Sequence, residues 1–337
     1  MVRNLLLKRL PANIALGFVI GTGLSAAQTT HPIASMVETE PGVKVEVLDW
    51  GGSGPPLVLL AGLGGKGSDF DSFAVALRAK FHVYAITRRG YGSSSAPVPT
   101  AENYSADRLA DDVLIVLDTL HLSRPLLVGH SLAGEELSSI GSRMPDRVAG
   151  LVYLDAGYRH ALSGPGLNDL QIDIISMRRY LAHALDDMNP IEGKRAVDAF
   201  LKELPDFEKE LQAYSSSLGQ AAPMSAAEVA KEEADRSTPE GRAERAILDS
   251  EQRYSYVRCP LLVVFAYPHE LPSNVVGADR AEREKQDMEF VDQRLRLFKA
   301  QPDAKVVLLP NAAHRLQDSN RAEVLRAIEE FAARVER

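Results

Sequence analysis

The chain has 337 residues, enough for one large α/β domain carrying an insertion or for two domains. Its 45% hydrophobic and 25% charged residues are ordinary globular composition, so core material is ample. A formal net charge of −8 argues against non-specific binding to nucleic acid.

The first residues read as an export signal. Arg3, Lys8 and Arg9 make a positive start, and residues 14–24 are an apolar stretch too short to span a bilayer comfortably. Ser25-Ala26-Ala27 offers small residues before a cut ahead of Gln28. The expectation is a signal peptide over 1–27, a periplasmic or secreted product, and no stable membrane span after its removal. Residues 36–40 and 43–49 read as a hairpin through Pro41-Gly42, with Val43, Val45 and Val47 on one face. After a Gly- and Pro-rich turn come six short, almost wholly apolar runs: 57–61, 83–87, 126–129, 151–155, 261–266 and 306–309. Strands buried on both faces look like this and belong to parallel sheets. Helical spacing recurs between them, in Phe73, Leu77 and Phe81, in Leu109, Val113 and Leu117, and in Val324, Ile328, Phe331 and Val335. This alternation predicts an α/β fold.

From about residue 158 to 256 no strand pattern appears. Punctuation at Asn189-Pro190, Pro205, Pro223 and Pro239 divides this stretch into four or five expected short helices, inserted into one sheet. Tyr158, Met177, Tyr180, Leu181, Met188 and Phe200 are available there to line an apolar pocket or to form the insertion's own core. Cys259 is the only cysteine, so it forms no intramolecular disulfide. It opens an apolar run and reads as a buried structural thiol.

The central motif is Gly129-His130-Ser131-Leu132-Ala133-Gly134. An apolar run precedes it and a helical pattern follows, the context of a nucleophile elbow. A tight strand-to-helix turn projects the serine hydroxyl from the sheet edge, and the N–H of Leu132 points where an oxyanion would form. The motif is G-x-S-x-G, and Ala133 stands at its last position, with Gly134 directly after it.

In these motifs and their order the chain resembles the α/β-hydrolase superfamily, over nearly its whole length after residue 27. The resemblance implies a mostly parallel, eight-stranded sheet with helices on both faces, built from 36–158 and 252–337, and a helical cap over 159–251. Leu60-Ala61-Gly62-Leu63-Gly64 sits where the family's oxyanion loop follows its third strand, which makes the Leu63 N–H the second donor beside that of Leu132. Arg88-Arg89-Gly90-Tyr91-Gly92-Ser93-Ser94 looks like the family's Gly-rich turn, a support for the site. His314, between the run 306–309 and the last helix, is where the family places its catalytic base; the other histidines fit that role less well.

The base needs a carboxylate. Most relatives supply Asp shortly after the seventh strand, but here His269 falls on that position and Glu270 is one residue late. Asp155, at the end of the strand after the nucleophile's helix, is the first choice, because some relatives place their acid there; Glu270 is the alternative. Relatives that displace halide or open epoxides use a carboxylate nucleophile, so a serine implies acyl transfer.

The expected function is a metal-independent serine hydrolase that cleaves an apolar, moderately sized ester through an acyl-enzyme on Ser131. Amidase, C–C hydrolase or lyase chemistry, and a catalytically silent binding protein, are the alternatives. No metal or cofactor is expected: there is no H-E-x-x-H and no paired Cys, and Gly62-Leu63-Gly64-Gly65-Lys66-Gly67-Ser68 lacks phosphate-loop spacing. The expected partner is a small-molecule ester, not nucleic acid.

Overall fold

The short apolar runs become strands of a single sheet. The computed structural model describes residues 31–158, 160–164, 174, 177–178, 181–182, 190–218, 225–250 and 252–335. The expected signal peptide at 1–27 lies outside them, as do Tyr180 and Met188. The strands are β1 Ile33–Glu40, β2 Val43–Gly51, β3 Pro56–Leu60, β4 His82–Thr87, β5 Leu126–His130, β6 Gly150–Leu154, β7 Leu261–Ala266 and β8 Ala304–Leu309. Their spatial order is β1-β2-β4-β3-β5-β6-β7-β8. The β1–β2 hairpin is antiparallel and joins β4 antiparallel; every pairing from β4 to β8 is parallel.

Period-two alternation sorts the strand residues onto two buried faces, which is why the runs are apolar throughout. Val58 and Leu60 pack on one side with α3 (Ala106–Thr119), α4 (Gly134–Arg143) and the helix Gly277–Lys299. Leu57 and Leu59 pack on the other with α1 (Asp71–Leu77) and the final helix Arg321–Val335. A single turn of helix, α2 (Ala101–Tyr104), precedes α3. The final helix inserts Val324, Ile328 and Phe331, each fully buried. Cys259 is buried beside this sheet, and burial pushes its thiol up to about 12.

Two expectations shift. Phe81 does not share a helix with Phe73 and Leu77: α1 ends at Leu77, and the Phe81 N–H donates to the Leu77 carbonyl at 3.0 Å in the turn into β4. The insertion is not divided at Pro205. Among the described residues it contains helices Pro190–Leu218, Ala226–Ser237 and Pro239–Leu248, and the first runs through Pro205 for 29 residues. A proline inside a helix loses its own ladder donor and crowds the carbonyl four residues back, a cost of about 3 kcal/mol, and the Ala-, Lys-, Glu- and Leu-rich sequence on either side sustains the helix through it. No helix among the described residues is long and apolar enough to cross a membrane.

Candidate active site

A parallel sheet brings its strands' C-terminal ends to one edge. Here the loops after β3, β5, β6, β7 and β8 follow one another along that edge. The winding reverses between β3 and β5, and such switch points open a crevice. A cavity of about 360 Å³ lies there, lined by Ala61, Gly62, Leu63, Ser131, His314 and Arg315 among others.

Ser131 follows β5 with a φ of 52°, in the left-handed region that a side chain occupies only at a cost. The turn Ser131–Ala133 leads straight into α4. The surroundings explain the shifted glycine of the motif. A Cβ on Gly134 would lie 2.0 Å from the Ala156 carbonyl oxygen, so residue 134 must be glycine for helix and following strand to meet. Ala133 is tolerated because its partner is small: a Cβ on Gly129 would lie 3.0 Å from that of Ala133.

Asp155, directly after β6, also has a positive φ, of 44°, and is fully buried. Its Oδ2 lies 2.6 Å from His314 Nδ1. A carboxylate accepts, so Nδ1 carries the proton and Nε2 is left as the basic nitrogen. Glu270 is exposed, and its backbone N–H donates to the Ala312 carbonyl. The structure thus brings Asp155 and not Glu270 to His314.

Asp155 Oδ2 has two further partners. The Tyr158 hydroxyl donates to it at 2.8 Å, and His269 Nε2 lies 2.7 Å away. Burial pushes the Asp155 carboxyl up, but hydrogen bonds from His269 and His314 and the charges of these rings outweigh it, and the carboxyl is held below its ordinary value. His269 Nδ1 faces Asp287 of the helix Gly277–Lys299 at 2.9 Å, and the His269 N–H donates to the same carboxylate at 2.7 Å. Burial pulls His269 down, but the Asp155 and Asp287 carboxylates raise it to about 9.

Other histidines also gather here. His130 Nε2 donates to the His314 carbonyl at 3.1 Å, and the two rings stand 4.7 Å apart. Burial, followed by the neighbouring His314, lowers His130 to about 4, so it is neutral at physiological pH. His160 Nε2 lies 3.3 Å from the Ser131 carbonyl oxygen and donates to it. Asp155, His269 and His314 also offer ligand atoms within 4.8 Å of one another. Ligands around a tetrahedral ion stand about 3.3 Å apart. The separations of 2.6 and 2.7 Å at Asp155 are instead those of hydrogen-bonded partners.

The loop after β3 is held from behind. Arg88 donates from Nη2 to the Ala61 carbonyl at 2.8 Å and from Nη1 to the Gly62 carbonyl at 3.2 Å. Its Nε and Nη2 fork onto Glu136 of α4 at 2.8 and 2.7 Å. A trans peptide places its N–H opposite its C=O. The Gly62 carbonyl, on the peptide whose N–H belongs to Leu63, is drawn to Arg88, and Leu63 is among the residues that line the cavity. Leu132 is buried in the first turn after Ser131.

Sequence reasoning placed Ser131, His314 and Asp155 at one edge and the structure brings them together there. It missed His269 and Asp287 and the partner Glu136; it had Tyr158 as a pocket-lining residue and the turn at Arg88 as a support, but not the bonds by which they act on Asp155 and on the loop after β3. The signal available for His269 was its standing where an acid was expected. Asp287 and Glu136 sit on charged helices and carry no local signature.

Residues 57–327 match the alpha/beta hydrolase family. The chain is 31% identical over 104 residues to 2-(acetamidomethylene)succinate hydrolase of Mesorhizobium japonicum, covering 31% of this chain and 36% of that protein. It is 37% identical over 107 residues to fluoroacetate dehalogenase of Burkholderia sp, covering 31% and 35%, and 31% identical over 134 residues to bifunctional epoxide hydrolase 2 of Sus scrofa, covering 40% and 23%. The matches therefore span less than half the length of these relatives. Among solved structures, a thermophilic esterase from Thermogutta terrifontis aligns with a TM-score of 0.56 at 19% identity, covering 90% of this chain and 99% of that one. An enol-lactonase from Burkholderia xenovorans aligns with a TM-score of 0.52 at 19% identity, covering 89% and 100%. These likenesses establish a shared fold. With the family match running from β3 into the last helix, across the elbow, Asp155 and His314, the chain belongs to the alpha/beta hydrolase family.

Proposed function

We propose that the protein is a serine hydrolase that cleaves a carboxylic ester of moderate size, with Ser131 as nucleophile, His314 as base and Asp155 as the acid that orients it. The observation that carries this reading is the 2.6 Å contact from Asp155 Oδ2 to His314 Nδ1 beside a cavity shared by His314 and Ser131. His314 takes the Ser131 proton at Nε2 as Oγ attacks the substrate carbonyl, and the forming imidazolium is stabilised by Asp155. The N–H groups of Leu63 and Leu132 hold the oxyanion. The alcohol leaves with the proton from His314, which then activates water to cleave the acyl-enzyme, releasing the carboxylic acid and restoring Ser131.

Some relatives bear names of epoxide-opening or dehalogenating enzymes, but the residue at this elbow is a serine, and serine esters are acyl-enzymes. A cavity of about 360 Å³ suits an ester of moderate size. Ala61, Leu63 and Phe70 give it an apolar side, and Asp69, His130 and Arg315 a polar one. The test is covalent labelling by a fluorophosphonate, together with hydrolysis of p-nitrophenyl acetate, butyrate and octanoate. Wild type labels and turns over, whereas folded Ser131→Ala does neither. Folded wild type that fails to label overturns the reading.

A further inference from the structure

The pair His269–Asp287 has no part in the reaction just described, yet it is joined to it through Asp155. His269 follows β7 and presents both ring nitrogens to carboxylates: Nε2 to Asp155 Oδ2 at 2.7 Å and Nδ1 to Asp287 Oδ1 at 2.9 Å. Ionised carboxylates only accept, so both contacts are satisfied together only when both nitrogens carry protons, in the imidazolium. The ring is three-quarters or more shielded from solvent and Asp155 is wholly so. Asp287 adds a third bond, from the His269 backbone N–H, which fixes ring and loop as one unit against the helix Gly277–Lys299. The titratable groups facing His269 are Asp155 after β6, Tyr158 from the segment beyond it, Asp287 from the helix, and, across Asp155, His314 from the loop after β8.

We propose that His269, locked by Asp287 as a doubly donating imidazolium, is a positioning residue that anchors the Asp155 carboxylate for His314 and offsets part of its charge. This rests on the hydrolase reading above. Two consequences separate anchoring from charge. Without the Nε2–H donor, Asp155 loses one of the three bonds that orient Oδ2, and His314 is aimed less well. Without the positive charge, Asp155 stabilises the His314 imidazolium more strongly, so the base is lost to protonation at a higher pH.

Kinetics on p-nitrophenyl butyrate with His269→Ala and His269→Gln tests both. His269→Ala is expected to lose kcat by about 10–100-fold, the usual effect of removing a group that orients another, with KM changed little. His269→Gln restores a donor and recovers most of kcat. In both variants the acid limb of kcat/KM moves up by about one pH unit, a shift that loss of packing alone would not produce. Wild-type kcat and an unmoved limb in folded His269→Ala overturn the proposal. A second readout needs no turnover: side-chain 15N NMR of wild type at pH 7.5 shows both His269 nitrogens protonated, and Asp287→Asn lets that ring lose its proton at lower pH. A neutral His269 at pH 7.5 overturns the proposal even in an active enzyme. Failure of Ser131 to label sinks the hydrolase reading separately and leaves the NMR result to decide whether Asp155 is anchored.

Discussion

A carboxylate oxygen serves several donors at once, and Asp155 Oδ2 serves His314, His269 and Tyr158. In the proposed mechanism its charge rather than its shape is what His314 requires. Asp155→Asn keeps the shape but turns a donor or a weaker acceptor toward His314, and is expected to lower kcat by about 10³–10⁴-fold. Glu270→Gln, on an exposed side chain, is expected to change it less than about twofold. Orders-of-magnitude loss in the Glu270 variant with Asp155→Asn unharmed would reverse the assignment. Asp155 also carries a stability consequence. Its folded carboxyl is held below the ordinary value, so it contributes stability that is fully present above about pH 4 and lost as pH falls through the folded value. Acid unfolding of Asp155→Asn is therefore shallower than that of wild type below about pH 4.

Between elements, the Arg88–Glu136 pair ties the loop after β3 to α4. Both side chains are almost wholly buried, at 5% and 3% exposure, so neither charge can be left alone. The Glu136 carboxylate outweighs burial and holds the Arg88 guanidinium above its ordinary value, so it stays protonated. Arg88→Ala strands Glu136 and is expected to cost about 3–5 kcal/mol in urea unfolding, whereas the double variant Arg88→Met with Glu136→Leu recovers much of this. The double variant still lacks donors to the Ala61 and Gly62 carbonyls. On the proposed mechanism its kcat therefore stays at least about tenfold low, since an oxyanion donor that is no longer aimed loses part of its effect. Full recovery of kcat in the stable double variant would show that Arg88 only fills space.

At the scale of the whole molecule, site and fold share one pH dependence. His269 is raised to about 9 in the folded chain from an ordinary value of 6.5. Its contribution is therefore fully present below about pH 6.5 and is lost as pH rises through about 9. Discounted for partial exposure, it is worth on the order of 1–3 kcal/mol. The urea midpoint of wild type is expected to fall between pH 7 and pH 9.5 by more than that of His269→Gln, and equal falls would remove His269 from the account. By itself the sequence determined the sheet, because strands buried on both faces must be apolar throughout, and the elbow, because a strand-to-helix turn demands small residues around Ser131. It also singled out His314 as the proposed base, because its place between β8 and the last helix is local in the chain. Only the tertiary structure decided which carboxylate meets that base. Asp155 and His314 are 159 positions apart, Arg88 and Glu136 are 48, and no local pattern connects residues that meet only once the sheet has set the ends of non-adjacent strands side by side. The same holds for His269: a lone histidine in a loop gains its charge only where folding sets two carboxylates against it.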